Sequence, residues 1–220
     1  MRPVRGVLRD HHARAGEGAA AKVASSRGRP GDDQLAGGGP GRRENLLGVR
    51  RAQVPAVIHH AADTVAAYLS NGSEPGTLQL VAWLAAHRVR VLLPVLSHPI
   101  GGRLDKPAWA AYEGPDSLRV GAYSILEPTG ELVPSEQLPE AELIICAGLA
   151  ANMHGDRLGR GAGWYDRALR HASQSAPMWV LLNDDEILET IPVHPWDHRV
   201  DVIVTPKRMI TCEPSVLCNL

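Results

Sequence analysis

Four short apolar runs constrain this 220-residue chain more than any other feature. They are Val89-Arg-Val-Leu-Leu-Pro-Val95, Leu143-Ile-Ile-Cys-Ala147, Met178-Trp-Val-Leu-Leu182 and Val200-Asp-Val-Ile-Val204. A strand with one wet face alternates apolar and polar side chains, whereas a strand covered on both faces is apolar almost throughout. All four runs are of the second kind and are rich in β-branched residues. They predict buried strands of a mostly parallel sheet.

The intervening chain supplies the covering layers. Leu47, Val54, Ile58, Ala61, Val65 and Tyr68 recur at helical spacing, with Pro55 dividing the stretch into two helices. Asn71-Gly72-Ser73 closes it, with Gly72 suited to a left-handed cap, and Thr77 is placed to cap a further helix through Leu80, Leu84 and Ala85. Strands separated by helices define an α/β fold, here a three-layer Rossmann-like domain whose sheet is flanked by helices. The stretch from Ile100 to Pro139 is dense in glycine and proline and reads as a shaped excursion walling a pocket. Its one strand candidate is Gly121–Ile125, and Trp109 and Tyr112, at helical spacing, are assigned to the core.

Residues 1–41 differ in kind. They hold nine of the 22 glycines and five large aliphatic side chains, too few to offset the entropy of ordering. The expected organisation is a leader or mis-assigned start over 1–41, a domain over 42–210 and a tail over 211–220. The leader carries seven Lys/Arg against four Asp/Glu, and the remainder sixteen against twenty. A body of that sign has no field to draw it onto a phosphate polymer. A basic tail gripping nucleic acid is the rival reading from a different class.

No run approaches the ~18 apolar residues of a membrane span, and the N-terminus lacks the apolar core of a secretory signal. Cys146, Cys212 and Cys218 form no CxxC pair, so the expected setting is a reducing cytoplasm without disulfides. His11-His12 and His59-His60 are adjacent pairs, not helical metal ligands, and Pro195 interrupts the spacing of His194 and His198. Cys146 reads as packing, and Asn183-Asp-Asp-Glu186 as the start of a helix.

The stretch with the most chemistry is Gly155-Asp-Arg-Leu-Gly-Arg-Gly-Ala-Gly-Trp-Tyr-Asp-Arg167. It follows a buried strand and opens a helix at Trp164. Gly159, Gly161 and Gly163 allow close backbone approach and positive φ, and the first N–H groups of a helix attract anions. Arg157 and Arg160 add charged donors, and Asp166 falls on the first helical turn, where it could hold Mg²⁺. The pattern is neither a Walker A loop nor GxGxxG. Spacing alone supports a phosphate seat and a glycine-rich turn before an acid-capped helix about equally.

This segment resembles the G-x-RLG-x-G-x-G-[YFW]-YDR signature of the 5-formyltetrahydrofolate cyclo-ligases. Arg43-Glu-Asn-Leu-Leu-Gly-Val-Arg-Arg51 resembles the family's N-terminal helix, and Glu74-Pro-Gly-Thr77 with Val91–Val95 its first strand unit. Leu118-Arg-Val-Gly-Ala-Tyr-Ser-Ile-Leu-Glu-Pro128 and Pro192-Val-His-Pro-Trp-Asp197 through Thr205-Pro206 resemble two later segments, in the same order. The resemblance implies ring closure of 5-formyltetrahydrofolate to 5,10-methenyltetrahydrofolate, using ATP and Mg²⁺ and releasing ADP and phosphate. It implies a small-molecule folate as partner; charge and the lack of a long apolar run speak against nucleic acid and membrane, and the expected state is a monomer.

By the same resemblance, Arg157, Leu158, Gly159, Arg160, Gly161, Ala162, Gly163, Trp164 and Tyr165 line the ATP phosphates, with Arg157 and Arg160 as the catalytic cations. Arg43 contacts phosphate and folate, Glu74 bonds the pterin, and Asp166 and Asp197 hold Mg²⁺. Three positions depart from the family pattern. Gly39 stands where a lysine is usual, Asn152 where an aspartate is usual, and Ser124 replaces the glycine of a Gly-Ile pair. They make a weakened homologue, binding nucleotide or folate without turnover, the alternative to an active enzyme.

Overall fold

The computed structural model describes residues 53–213. Helix α1 (Gln53–Ala61) leads into strand β1 (Thr64–Ala66); α2 (Leu78–Ala86) is followed by β2 (Arg90–Ser97) and β3 (Arg103–Ala111). Strands β4 (Leu118–Val120) and β5 (Leu126–Pro128) pair as a separate hairpin, and β6 (Val133–Pro134) returns to the edge of β3. Then come β7 (Leu143–Cys146), the short pair β8 (Ala150–Ala151) and β9 (Arg157–Leu158), and α3 (Trp164–Ala168). Strands β10 (Met178–Leu181), β11 (Val202–Val204) and β12 (Met209–Thr211) complete the chain.

The main sheet has eight strands in the order β12-β11-β10-β7-β1-β2-β3-β6. The five from β11 to β2 are parallel, and β12, β3 and β6 add antiparallel margins. All four apolar runs are strands of the parallel part. Side-chain alternation shows why each had to be apolar throughout: Val91 and Leu93 enter one core and Leu92 the other, and Leu143 and Ile145 oppose Ile144 and Cys146. One core packs under α1 and α2 through Ile58, Leu80, Val81 and Leu84; the other packs under α3 and the turn after it through Ala168 and Leu169. These are the three expected layers.

Local readings fare less well. Val65 and Tyr68 are not on a helix: the chain leaves α1 at Ala61, and Val65 sits in β1 at the centre of the sheet. Strands on both sides claim that backbone, since Ala67 N–H donates to Leu92 O at 2.8 Å and Glu142 N–H to Thr64 O at 2.9 Å. Sheet completion overrides a spacing that local pattern reads as helix. Pro55 lies in the first turn of α1, where its missing N–H breaks no bond. Gly72 is left-handed, though in a loop after β1 instead of at a helix end, and Thr77 precedes α2 as expected. The Thr77 hydroxyl does not cap α2 but donates to Tyr68 O at 2.6 Å.

The 100–139 excursion contains β3, a nine-residue strand that the sequence reading lacks. Pro107 hides it, and it is tolerated because the β2–β3 register breaks between Val95 and Ser97, leaving it without a ladder partner. Trp109 and Tyr112 are core residues, but as a strand end whose side chains enter opposite cores. Gly121–Ile125 is not a strand. It is a tight turn with Tyr123 and Ser124 at positive φ, joining β4 to β5. Gly121 is required there because a Cβ would run into the buried Glu127 carboxylate.

Among the described residues Trp109 is the largest fully buried side chain, and it stacks edge-on against Trp164, with ring centroids 5.0 Å apart. Trp109→Ala is expected to cost about 3–5 kcal/mol in urea unfolding. Trp109→Phe should cost markedly less, because the indole N–H it removes has no partner. Equal losses for the two would contradict this packing.

Candidate active site

The site is assembled at the carboxyl ends of adjacent parallel strands, where ligands of open α/β sheets bind. Behind β7 the chain makes the β8–β9 hairpin, the glycine loop 159–163 and α3; behind β1 it makes the loop carrying Glu74. Gly161 and Gly163 take the left-handed conformation; Gly159 does not. The backbone N–H groups of residues 159–163 donate to no acceptor among the described residues, and Arg160, Gly161 and Ala162 are exposed. These donors have no protein partner among the described residues, and the middle of the loop is exposed. Helix α3 begins at Trp164 with Asp166 in its first turn, but it has only five residues. Its dipole adds correspondingly little, so the loop amides and arginines carry the attraction for an anion.

The two arginines differ. The Arg157 side chain is 5% exposed: Nη1 donates to Ala147 O at 3.1 Å, Nη2 lies 3.7 Å from Asp166 Oδ1, and the guanidinium sits 5.1 Å from the centre of the Tyr165 ring. Tyr165 in turn accepts the Ala147 N–H on its hydroxyl at 3.2 Å. Arg157 is thus a buried positive charge beneath the loop. Arg160 is more than half exposed and reaches across to Glu74, with Nη2 3.2 Å from Oε1. Glu74, itself largely buried, takes the Asn71 N–H on its other oxygen at 2.8 Å.

Direct contacts therefore form two groups, Arg157 with Tyr165 and Asp166 and, separately, Arg160 with Glu74, while Leu158, Gly159, Gly161, Ala162, Gly163 and Trp164 complete the loop that connects them. Asp197 stands apart. Its Oδ2 accepts the His194 N–H at 2.7 Å within its own turn, and among the described residues Arg157 and Arg160 pair with Asp166 and Glu74, not with it. Arg43 and Gly39 lie outside the described residues. His194 stacks on Trp196 at 4.7 Å, and no group of three metal-ligating side chains converges among the described residues.

Several neighbours of Glu74 escaped the sequence reading. Asn71 Nδ2 donates to Tyr123 O at 3.1 Å, and the Arg103 guanidinium lies 4.9 Å from the centre of the exposed Tyr123 ring. Their spacing carries no signal, because the turn at 121–125 alone brings them beside the loop after β1. Asn152 also gains a role. Its amide accepts the N–H of His154 and Asp156 at 3.0 Å each and donates to Asp156 Oδ2 at 2.8 Å. The negative charge missing at 152 is held four residues on. Asn183 and Glu186 form a reciprocal cap, so the helix expected there is a single short turn, Asp184–Glu186.

A family model for the 5-formyltetrahydrofolate cyclo-ligase family matches residues 47–206. The 5-formyltetrahydrofolate cyclo-ligase of Mycolicibacterium smegmatis is 40% identical over 147 residues, covering 67% of this chain and 75% of that protein. The 5-formyltetrahydrofolate cyclo-ligase of Escherichia coli K12 is 32% identical over 157 residues, covering 70% and 82%. The NMR structure of Aquifex aeolicus 5,10-methenyltetrahydrofolate synthetase shares the fold, with a TM-score of 0.61 at 24% identity over 77% of this chain and 80% of that one. An α/β protein with its free-donor loop behind a central parallel strand is the class that the geometry defines. The chain belongs to the 5-formyltetrahydrofolate cyclo-ligase family.

Two buried hydroxyls near the site should behave oppositely. The Tyr165 hydroxyl accepts a backbone N–H, so Tyr165→Phe is expected to cost about 1 kcal/mol of stability. The Tyr68 hydroxyl has no partner, so Tyr68→Phe should leave the unfolding midpoint unchanged or raise it. Burial pushes the thiols of Cys146 and Cys212 up to about 11 and raises both tyrosines above their ordinary range. Above pH ~9 the unfolded chain releases these protons while the fold retains them. The stabilising contribution of these four groups should therefore fall as pH rises from ~9 toward 11; denaturant midpoints that rose over this interval would contradict the burial.

Proposed function

We propose that the glycine loop seats the terminal phosphate of ATP beside a reduced folate whose formyl group is to be activated. The activity is that of a 5-formyltetrahydrofolate cyclo-ligase, which follows from family membership, and ATP use is implied by the family. The observation that carries the site assignment is the row of unpaired backbone N–H groups at 159–163, with one arginine buried beneath it and another exposed at its rim. Oxygens of a phosphate match such donors in number and charge.

In the proposed sequence the formyl oxygen of 5-formyltetrahydrofolate attacks the γ-phosphorus and ADP leaves. N10 of the same folate then attacks the activated carbon, and loss of phosphate and the N10 proton gives 5,10-methenyltetrahydrofolate. Such transfers depend on positioning and on cations around the transferred group, not on a protein nucleophile. Arg160 supplies an exposed cation at the loop's rim. Its ion pair with Glu74 holds both groups in place before binding, and each is released to a ligand, Arg160 to phosphate and Glu74 to the donor edge of the pterin. Arg157 acts from below: its charge favours anions on the loop, and its contact with Asp166 orients that carboxylate.

The donor set suits Mg²⁺, which takes oxygen ligands, keeps several waters and is held by one or two carboxylates plus phosphate oxygens. Asp166 and Asp197 would hold it, and its charge would neutralise the phosphates. We place the chemistry in the cytoplasm and assign it to a monomer. No helix among the described residues is long and apolar enough to cross a membrane, and Cys146 and Cys212 are free thiols.

The test is growth of the methenyl-folate absorbance on mixing the full chain with 5-formyltetrahydrofolate, ATP and Mg²⁺. Asp166→Ala should lower kcat by about a hundredfold or more, the scale of losing a positioned electrostatic group. Arg160→Ala should chiefly raise KM for ATP, and Glu74→Ala KM for folate. A fully active Asp166→Ala variant would overturn the metal assignment, and wild-type protein without ATP-dependent product would overturn the function.

A further inference from the structure

The turn of the β8–β9 hairpin is tied down far more heavily than a two-residue ladder requires. Asn152 N–H donates to Asp156 O at 3.1 Å, Gly155 N–H donates to Asn152 O at 3.0 Å, and the Asn152 side chain bonds three groups within the same turn. Asp156 is thereby immobilised with its carboxylate buried; one oxygen is held by the Asn152 amide, and the other accepts Arg199 Nε at 2.8 Å. Arg199 lies two residues after Asp197, and Asp156 immediately precedes Arg157. An ion pair thus links the residue before the strand that launches the glycine loop to the segment bearing the more distant carboxylate of the site.

The segment's own backbone bonding is sparse. Among the described residues, the backbone–backbone hydrogen bond within 189–199 runs from Asp197 N–H to His194 O, inside the segment itself. Ile191 is buried, but residues 192–196 are exposed. The neighbouring contact is close: Val200 N–H donates to Gly155 O at 2.8 Å, and a Cβ on Gly155 would run into the Val200 carbonyl. Gly155 has φ of 83°, so glycine is needed there for both conformation and approach.

We propose that Asp156 is a positioning residue of the phosphate site: its carboxylate, aimed by Asn152 and held by Arg199, fixes the 192–199 segment that carries Asp197 against the root of the glycine loop. Asn152 is the orienting partner. An amide there can accept two backbone N–H groups and still donate to Asp156, whereas a carboxylate would face Asp156 with like charge. This inference rests on the proposed role of Asp197 for its functional consequence, but the tether itself can be tested without that role.

Arg199 is about half exposed, so Arg199→Met should fold, and it is studied beside Asp156→Asn, the double variant and Asp197→Asn. In the ligand-free protein, amide hydrogen exchange over 194–200 should quicken by about tenfold or more in both tether variants. The double variant should be no worse than either single one, as expected of two ends of one contact. In steady-state assays the free Mg²⁺ needed for half-maximal rate should rise by about fivefold or more, with KM for folate within about twofold of wild type. Unchanged exchange in both variants, or additive effects in the double variant, would overturn the tether. A normal Mg²⁺ requirement in Arg199→Met, with a raised one in Asp197→Asn, would overturn the positioning role alone. If Asp197→Asn also leaves the requirement unchanged, the metal reading falls while the exchange data still decide the tether.

Discussion

Removing a guanidinium from water is costly by several kcal/mol, and the partial compensation of Arg157, whose Nε has no partner among the described residues, organises the functional end of this molecule. The partners come from three places: the Ala147 carbonyl just beyond β7, the Asp166 carboxylate on α3, and the face of the Tyr165 ring. Each is an element that must be held for the loop between them to keep its shape. The Tyr165 hydroxyl closes the circuit by accepting the Ala147 N–H. The glycine loop is consequently flexible in composition but fixed at both ends, which is what a preorganised anion seat requires.

Sheet order explains why such distant residues meet. β1 and β7 are neighbours in the sheet although nearly eighty residues separate them in the chain. Parallel pairing puts both carboxyl ends on the same edge, so the loop behind β1 delivers Glu74 to the loop behind β7 that delivers Arg160. Antiparallel β3 takes the chain to the opposite edge, with Ala111 beside Leu92, and the β4–β5 hairpin brings it back beside Ser97, where Tyr123 O meets Asn71. The strained turn at Tyr123 and Ser124 is stabilised from behind, with Ala122 N–H donating to Ser97 Oγ at 2.7 Å and Ser97 Oγ donating to the buried Glu127 at 3.2 Å. Backbone strain of this kind persists only where its surroundings over-determine it.

Position 152 shows how a departure from a motif can be absorbed. Read along the chain, an amide in place of a carboxylate is a lost charge. In the fold it is one half of a pair whose other half, Asp156, carries the charge and passes it to Arg199. No spacing rule anticipates this, because Arg199 is forty-three residues from Asp156. Ser124 is absorbed differently, taking the positive φ that a glycine would adopt without cost.

Four of the five parallel strands, the layered class and the glycine loop with its helix start were legible because each follows from side-chain chemistry over a few consecutive residues: two-face burial demands unbroken apolar runs, and close backbone approach demands glycine. What the chain could not disclose locally was decided by tertiary competition. Val65 and Tyr68 left a helical spacing because a central strand position satisfied more backbone groups than another helical turn. Strand β3 accommodated a proline because a bulge had already released its partner. The pairings of Arg160 with Glu74 and of Asp156 with Arg199 arose only once strand order had been set. Apolar pattern is a property of a segment, whereas the partner of a charge depends on which segments the sheet brings together.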